Sequence, residues 1–271
     1  MNDVGTTLMA VAYLSSLAPA PAAGVAPVRI VATEQGFETP RSIDAGLRHV
    51  VFENRGKYIH EAMFIKLPSG MSAHEFVARV RAGSLFPEGA LDYSGPGLTS
   101  PGETSELWLK LDPGEYVLIC WNHSKNSVHE VSVRQTGQPD DIPPKEDVVL
   151  RLRDFRFDLE GQLKPGTQVI RVETPGPSMH EVDLFRLRKG HTAVDVQRWY
   201  KKGLGNPAPA DAMGGVLDSH DIERVVWLRK ALSPGRYVLH CAMPMTLDAK
   251  AGDHGPIHSD VGMIITLEIG K

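Results

Sequence analysis

The chain has 271 residues, enough for two domains that each bury a core of their own. Its 29 basic and 33 acidic residues are interspersed and give a formal net charge of −4, so the sequence offers no basic stripe for nucleic acid and no acidic tail. Its 26 glycines and 20 prolines separate short runs of Val, Ile, Leu and Tyr, a pattern typical of an all-β protein.

Residues 1–27 are predicted to be a signal-like segment or a disordered tail. An apolar run from Leu8 to Leu17 precedes small residues in an Ala-x-Ala pattern, as in the core and cleavage region of a signal peptide. No Lys or Arg precedes Arg29, so the usual basic leader is missing and a disordered Ala/Pro tail stays an alternative. The run is too short to span a bilayer. We therefore expect a periplasmic or secreted protein with no stable membrane span.

Two blocks of sequence recur about 120 residues apart. Residues 111–120 read LDPGEYVLIC and residues 232–241 read LSPGRYVLHC, and each block ends in one of the two cysteines. Residues 59–72 read IHEAMFIKLPSGMS and residues 179–192 read MHEVDLFRLRKGHT, and each contains a His-Glu pair. The shared order, spacing and identity of these blocks indicate an internal duplication.

Each copy follows one predicted order of elements. Alternating strands come first, then the His-Glu strand and a short helix, which Ser72 begins in the first copy and Thr192 in the second. A loop rich in Pro and Gly leads to a further strand, a Pro-Gly turn, the cysteine strand and a final strand. Short strands with one brief helix predict two tandem Greek-key β-sandwich domains, residues 28–137 and 147–271, joined by a linker at 138–146.

The second copy contains His180, Cys241, His258 and Met263, in that order. Two imidazoles, a thiolate and a weak axial methionine are the donors of a blue-copper centre. The His-Glu pair, the Tyr-Val-Leu-x-Cys strand and the final Pro-x-His-x4-Met resemble those of the cupredoxin superfamily, in particular plastocyanin-like domains of bacterial exported proteins. The resemblance covers both halves of the chain. It implies the cupredoxin-like fold, copper as the cofactor, electron transfer as the function and a redox partner protein.

The loop that would carry these ligands is unusually long. Residues 242–257 separate Cys241 from His258, where small cupredoxins have only a few residues, and His254 within this insertion is a competing ligand. A lone cysteine is also a common core residue, and Met263 can be one as well. Two alternatives therefore stay open: a metal-free cupredoxin-like scaffold that binds a partner or small ligand, and a copper storage or delivery protein.

The first copy has a less regular set of candidate ligands, His60, Cys120, His123 and His129. A valine stands where the axial methionine is expected, and His129 next to it aligns with Met263 by pattern. The set allows a three-coordinate copper site, a site with His129 as an unusual ligand, or an eroded site retained for packing. Zinc in tetrahedral geometry is a further option.

Two neighbours of the candidate ligands bear on mechanism. His240 next to Cys241 resembles the His-Cys pair of copper nitrite reductases and multicopper oxidases, but those enzymes need more histidines, typically in His-x-His pairs, which the sequence does not contain. We therefore expect no enzymatic activity. Glu61 and Glu181 follow the first histidine of each copy and could orient it. Because side chains alternate along a strand, we expect each to point away from that histidine.

Overall fold

The structure is a computed structural model that describes residues 26–85, 87–123, 128–220, 223–246 and 255–270. In this part of the chain the first copy forms these elements: β1 Val28–Thr33, β2 Gly36–Glu38, β3 Ser42–Asp44, β4 Gly46–Asn54, β5 Met63–Lys66, α1 Ala73–Arg81, β6 Leu91–Asp92, β7 Thr104–Leu111, β8 Gly114–Ile119 and β9 Val128–Arg134. The second copy forms β10 Val148–Arg153, β11 Arg156–Glu160, β12 Gly166–Glu173, β13 Val182–Leu187, α2 Ala193–Lys201, β14 Ala210–Val216, β15 Val225–Leu232, β16 Gly235–His240 and β17 Ile264–Ile269.

The two helices begin where the sequence predicts. The Ser72 hydroxyl accepts the backbone N–H of Glu75 at 3.1 Å, and Thr192 forms a complete capping box with Asp195. Each helix has nine residues and presents a few apolar side chains to the sheet next to it. Among the described residues, no helix is long and apolar enough to cross a membrane.

The strands form three sheets. The largest has eight strands in the order β11-β10-β12-β15-β7-β4-β1-β2 and therefore contains strands of both copies. A four-stranded sheet, β14-β13-β16-β17, and a five-stranded sheet, β3-β9-β8-β5-β6, complete the fold. Alternate strand residues pack into a shared apolar core that includes Phe52, Leu118, Leu228 and both cysteines. The predicted fold class, mostly β with cupredoxin-like sandwiches and one short helix in each copy, is confirmed.

The two copies meet along two strand-like seams. In the eight-stranded sheet, β15 runs antiparallel to β7, with Trp227 opposite Trp108. In the second seam, residues 93–99 run antiparallel to 213–219, with Pro96 opposite Val216. The two halves are therefore joined by backbone hydrogen bonds as well as by apolar packing.

The segment predicted to be a linker is held against β4. The Asp140 carboxylate accepts the backbone N–H of Leu47 at 2.9 Å, and that of Asp141 accepts the N–H of His49 at 2.7 Å. The buried Arg48 guanidinium donates to the carbonyl of Pro139 at 2.8 Å. These contacts fix residues 139–141 on the first copy.

Candidate metal centre

Three of the sequence-predicted ligands of the second copy lie together in the fold. One donor atom each from His180, Cys241 and His258 lies within 4.8 Å of the others, and all three residues are buried. The Nδ1 atoms of His180 and His258 are 3.0 Å apart, and the Cys241 Sγ is 3.5 Å from Nδ1 of His258. Among the described residues this is the one group of three or more such donors found within that distance.

Backbone pairing at the ends of β16 and β17 brings these residues together. Cys241 directly follows β16 and Met263 directly precedes β17, and the Cys241 N–H donates to the carbonyl of Met263 at 3.1 Å. His258 opens a short 3₁₀ turn and donates its N–H to the carbonyl of Met243 at 2.8 Å. Met263 is fully buried in the same core. The ends of the ligand loop are therefore fixed by hydrogen bonds.

The inserted segment of the ligand loop does not move Cys241 and His258 apart. The Met245 N–H donates to the carbonyl of Pro256 at 3.0 Å, which closes the base of the inserted segment. Residues 247–254, and with them the competing ligand His254, lie outside the described residues. Within the described part of this loop, His258 is the histidine that lies next to Cys241.

The separations of the donor atoms fit a shared metal ion. Donors that share one ion, with bonds of about 2.0 Å to nitrogen and about 2.3 Å to sulfur, lie roughly 3.3–3.7 Å apart in tetrahedral or trigonal arrangements. The observed 3.0 and 3.5 Å are close to this range. Two imidazoles and a thiolate are the donor set that suits copper. The residues present could therefore hold a copper ion, which agrees with the predicted cofactor.

Both histidines have the charge state that metal binding requires. Burial lowers the pKa of His180, although Asp154 opposes that shift. Burial, together with His180, lowers the pKa of His258 to about 4. Both imidazoles are therefore neutral near pH 7 and can each offer a nitrogen lone pair to a metal.

The Cys241 thiol is a buried group that needs a cation to ionise. Burial raises its pKa well above the usual value, and the neighbouring Glu181 raises it further, while backbone N–H groups of Glu181 and Met243 at the sulfur oppose the shift. Without a cation the sulfur therefore stays protonated at neutral pH, and a bound metal would release that proton.

Asp154 and Phe155, which sequence reasoning missed, also contact the site. They form the turn between β10 and β11, where Phe155 adopts a positive φ of 59°. The Asp154 carboxylate accepts from Nε2 of His180 at 3.1 Å. The edge of the Phe155 ring meets the His258 ring, with centroids 5.1 Å apart. An acid-aromatic pair in a tight turn between two alternating strands is the only signal the sequence offers for this role.

Glu61 and Glu181 have a role other than the one considered from the sequence. The Glu181 carboxylate accepts the backbone N–H of Ala242 at 3.0 Å, and that of Glu61 accepts the N–H of Trp121 at 3.0 Å. Each acceptor therefore holds the residue that follows the cysteine of its own copy. Burial raises the pKa of Glu61 to about 8 and also raises that of Glu181 well above its usual value.

The candidate ligands of the first copy are only partly described. Nδ1 of His60 lies 3.7 Å from the Cys120 Sγ, and both residues are buried. The His123 side chain lies outside the described part of the chain. His129 pairs with Leu118 on β9 as Ile265 pairs with Leu239 on β17.

His129 therefore takes the strand position of Ile265, two residues beyond that of Met263. The residue that matches Met263 by this register is residue 127, outside the described residues. The alignment by sequence pattern placed His129 opposite Met263 because the strand register is not visible in that pattern. Burial lowers the pKa of His129.

His240 lies on the opposite side of its strand from the cysteine that follows it. Its ring is fully buried against Phe185 and Tyr200, with centroid separations of 5.9 and 5.1 Å. Neither ring nitrogen has a hydrogen-bond partner among the described residues. Burial lowers the pKa of His240 to about 3, so the ring is neutral.

Among known proteins, the chain matches solved structures but no family model and no curated protein. The solved structures that match include auracyanins, multicopper oxidases and copper nitrite reductases, all of the cupredoxin fold. Auracyanin A, a "blue" copper protein from Chloroflexus aurantiacus, is 19% identical over 40% of this chain and 100% of its own, with a TM-score of 0.29.

Two further matches span most of this chain. A multicopper oxidase is 13% identical over 89% of this chain and 88% of its own, with a TM-score of 0.25. The copper nitrite reductase from Nitrosomonas europaea is 13% identical over 91% of this chain and 94% of its own, with a TM-score of 0.24.

The prediction that the chain is not an enzyme is wrong. Multicopper oxidases, a laccase and copper nitrite reductases, which are enzymes, stand among its structural neighbours. The prediction relied on the missing His-x-His pairs. The His-x-His motif is one way to assemble a catalytic copper site, so its absence from the sequence is not enough to exclude an enzyme.

Proposed function

We propose that the second copy binds one copper ion, which His180, Cys241 and His258 would hold, with Met263 as a further ligand. The protein would then pass single electrons to and from a partner protein. The observation that carries this proposal is the convergence of two imidazoles and a buried thiol: Nδ1 of His258 lies 3.0 Å from Nδ1 of His180 and 3.5 Å from Sγ of Cys241, with all three donors within 4.8 Å of one another.

The residues around the proposed site suit this chemistry. Copper held by a thiolate and two imidazoles supplies one-electron exchange between Cu(I) and Cu(II). A backbone hydrogen bond joins Cys241 and Met263 at the ends of β16 and β17, so the main-chain positions of these two residues do not depend on a metal. The burial of these residues and the edge-to-face contact of the Phe155 ring with His258 keep water away from the donors. A rigid, dry donor set favours fast electron exchange because little has to reorganise.

The first copy is proposed to carry a variant or degenerate site. His60 and Cys120 keep their mutual placement at 3.7 Å, whereas the position that matches Met263 holds no methionine in the sequence. The proposed domain boundaries, 28–137 and 147–271, agree with the end of β9 at Arg134 and the start of β10 at Val148. Export is proposed from the apolar run Leu8 to Leu17.

Copper titration followed by spectroelectrochemistry tests the proposed function. The metal-free protein is loaded with Cu(II), and the intense visible band from thiolate-to-copper charge transfer is followed as the potential is stepped. We expect one equivalent of copper to give the band, and one electron to remove and restore it reversibly. Tight Cu(I) binding without that band would replace the proposal by copper storage or delivery. No binding of either ion would leave a metal-free scaffold.

A further inference from the structure

Asp154, Gly176 and His180 lie in contact with one another at the edge of the proposed site. Asp154 accepts from Nε2 of His180 at 3.1 Å, and Gly176 closes the third side. A Cβ on Gly176 would lie 3.0 Å from the Asp154 carboxylate and 3.7 Å from Nε2. Because Gly176 has no side chain, the Asp154 carboxylate and the His180 imidazole have room to meet. We call Asp154, Gly176 and His180 the acid-glycine-histidine unit.

The first copy has an acid, a glycine and a histidine at the same spacing. Glu34, Gly56 and His60 each precede their counterparts in the second copy by 120 residues. A Cβ on Gly56 would lie 2.9 Å from the Glu34 carboxylate and 2.9 Å from Nε2 of His60. The Glu34 carboxylate also accepts the backbone N–H of Lys57. The duplication thus kept an acid and a glycine at the outer nitrogen of the first histidine in both copies.

Asp154 is held in place by hydrogen bonds. The Ser178 hydroxyl and backbone N–H both hydrogen-bond to its carboxylate. An aspartate carboxylate only accepts hydrogen bonds, so these contacts and the one from His180 all point towards its oxygens.

An acceptor-only partner decides which nitrogen of His180 carries the hydrogen. Because Nε2 donates to Asp154, the ring nitrogen left to bind a metal is Nδ1, which lies 3.0 Å from Nδ1 of His258. A carboxylate at the outer nitrogen also makes an imidazole a stronger donor, which favours the more highly charged metal ion. Both effects act through His180.

We propose that Asp154 is a positioning residue that fixes the Nε2–H tautomer of His180 and lowers the reduction potential of the copper. This inference rests on the proposed copper site. Outer partners of this kind change metal affinity by about 10- to 100-fold, and their effect is larger for Cu(II) than for Cu(I). Loss of the carboxylate therefore moves the equilibrium towards Cu(I) by roughly tenfold, which for one electron is about 59 mV.

The first test uses the metal-free protein, so it does not depend on copper. Long-range ¹H–¹⁵N NMR correlations report the tautomer of each histidine ring. We expect His180 to be the Nε2–H form in the wild type and a mixture of tautomers in Asp154→Ala. The matched control is Glu34→Ala, which removes the corresponding acid of the first copy and should leave the His180 signals unchanged. An unchanged His180 tautomer in Asp154→Ala overturns the positioning role.

The second test compares the copper-loaded Asp154→Asn, Asp154→Ala and Glu34→Gln variants with the wild type. We expect both Asp154 variants to raise the reduction potential by about 59 mV, which corresponds to a tenfold shift of the equilibrium towards Cu(I). We also expect both to change the electron spin echo modulation that arises from the remote nitrogen of the imidazole ligand. Glu34→Gln should change neither quantity. Unchanged potential and modulation in both Asp154 variants overturn the proposal. If the wild type itself forms no copper-thiolate band, the proposed function fails, and the tautomer measurement still decides the role of Asp154.

Discussion

Glu181 accepts the backbone N–H of Ala242 at 3.0 Å, and through this bond the residue after one proposed ligand is tied to the residue after another. Glu181 follows His180, and Ala242 follows Cys241. Both residues are buried, so the N–H has little access to water as a substitute acceptor. The geometry of the proposed centre therefore depends on a carboxylate that does not itself belong to the donor set.

Two replacements of Glu181 should separate loss of this acceptor from loss of the carboxyl group. Glu181→Ala leaves a buried N–H without its acceptor, and we expect the free energy of unfolding to fall by about 1–3 kcal/mol. Glu181→Gln keeps a carbonyl oxygen and should stay close to the wild type. Urea denaturation of the metal-free variants measures both values.

The first copy offers the matched control for this prediction. Glu61→Ala removes the acceptor for Trp121 and should destabilise the fold by a similar amount while leaving the copper band intact. Equal stability of Glu181→Ala and Glu181→Gln would contradict the role assigned to the hydrogen bond.

An exchange between the copies tests the burial of His240. The corresponding residue of the first copy is Ile119, which is also fully buried. Because both ring nitrogens of His240 lack partners among the described residues, His240→Ile should raise the free energy of unfolding by about 1–2 kcal/mol.

The reverse exchange, Ile119→His, should lower the free energy of unfolding by about 1–3 kcal/mol, since it buries a polar ring in an apolar cluster. Thermal and urea denaturation compare the two variants with the wild type. A loss of stability in His240→Ile would show that the imidazole has a partner that stabilises it.

Buried carboxyls between the copies should make stability depend on pH. Burial raises the pKa of Asp218 from the usual 3.8 to about 6, so between these values the folded protein holds a proton that the unfolded chain has released. Stability from this group is therefore lost as the pH rises through that window. Asp218→Asn removes the effect, so its stability relative to the wild type should rise by on the order of 2 kcal/mol between pH 4 and pH 7.

Urea denaturation of the metal-free Asp218→Asn and wild-type proteins at several pH values measures this difference. Burial and the neighbouring Asp218 both raise the pKa of Asp92, which is hydrogen-bonded to Asp218, so the measured difference belongs to the pair of carboxyls. A stability gap that stays constant from pH 4 to pH 7 would show that the Asp218 carboxyl is not perturbed as described.

The seams between the copies predict a single cooperative unfolding transition. Trp227 opposite Trp108 and Pro96 opposite Val216 join strands of the two halves, so neither half can open without exposing the edge of the other. Differential scanning calorimetry should therefore show one transition, with equal calorimetric and van't Hoff enthalpies. Two separate transitions would mean that the halves unfold independently.

A pair of glycine substitutions probes the second seam. A Cβ on Gly97 would lie 2.7 Å from the Asp183 carboxylate and 3.1 Å from the Cα of Gly215, so Gly97→Ala should lower the melting temperature of the whole transition. A Cβ on Gly205 would meet no heavy atom within 4 Å, so Gly205→Ala should leave that temperature nearly unchanged. A shift confined to part of the transition would contradict the coupling of the copies.

The duplication and the donor set are visible in the sequence because both are local. His180, Cys241 and His258 lie in short motifs, and such motifs can be recognised even when the rest of the sequence has diverged. The fold class follows from turn residues and alternation for the same reason. The separation of these donors depends instead on the register of β16 and β17, which only the folded chain defines.

The partners around the donors could not be predicted in the same way. Asp154 reaches His180 across 26 residues, and Glu181 reaches Ala242 across 61, with no local pattern that connects either pair. The position of His129 shows the reverse error, since pattern alignment ignored the strand register that places it beside Leu118. Contacts between strands are set by pairing, and pairing is a property of the whole sheet.

The most direct test of the copper site compares Cys241→Ser with Cys120→Ser, because the two cysteines occupy corresponding positions in the two copies. Each variant is loaded with Cu(II), and the charge-transfer band and bound copper are measured against the wild type. We predict that Cys241→Ser loses the band and one equivalent of tightly bound copper, while Cys120→Ser keeps the band at its full intensity. A band that survives in Cys241→Ser and disappears in Cys120→Ser would contradict the placement of the centre in the second copy.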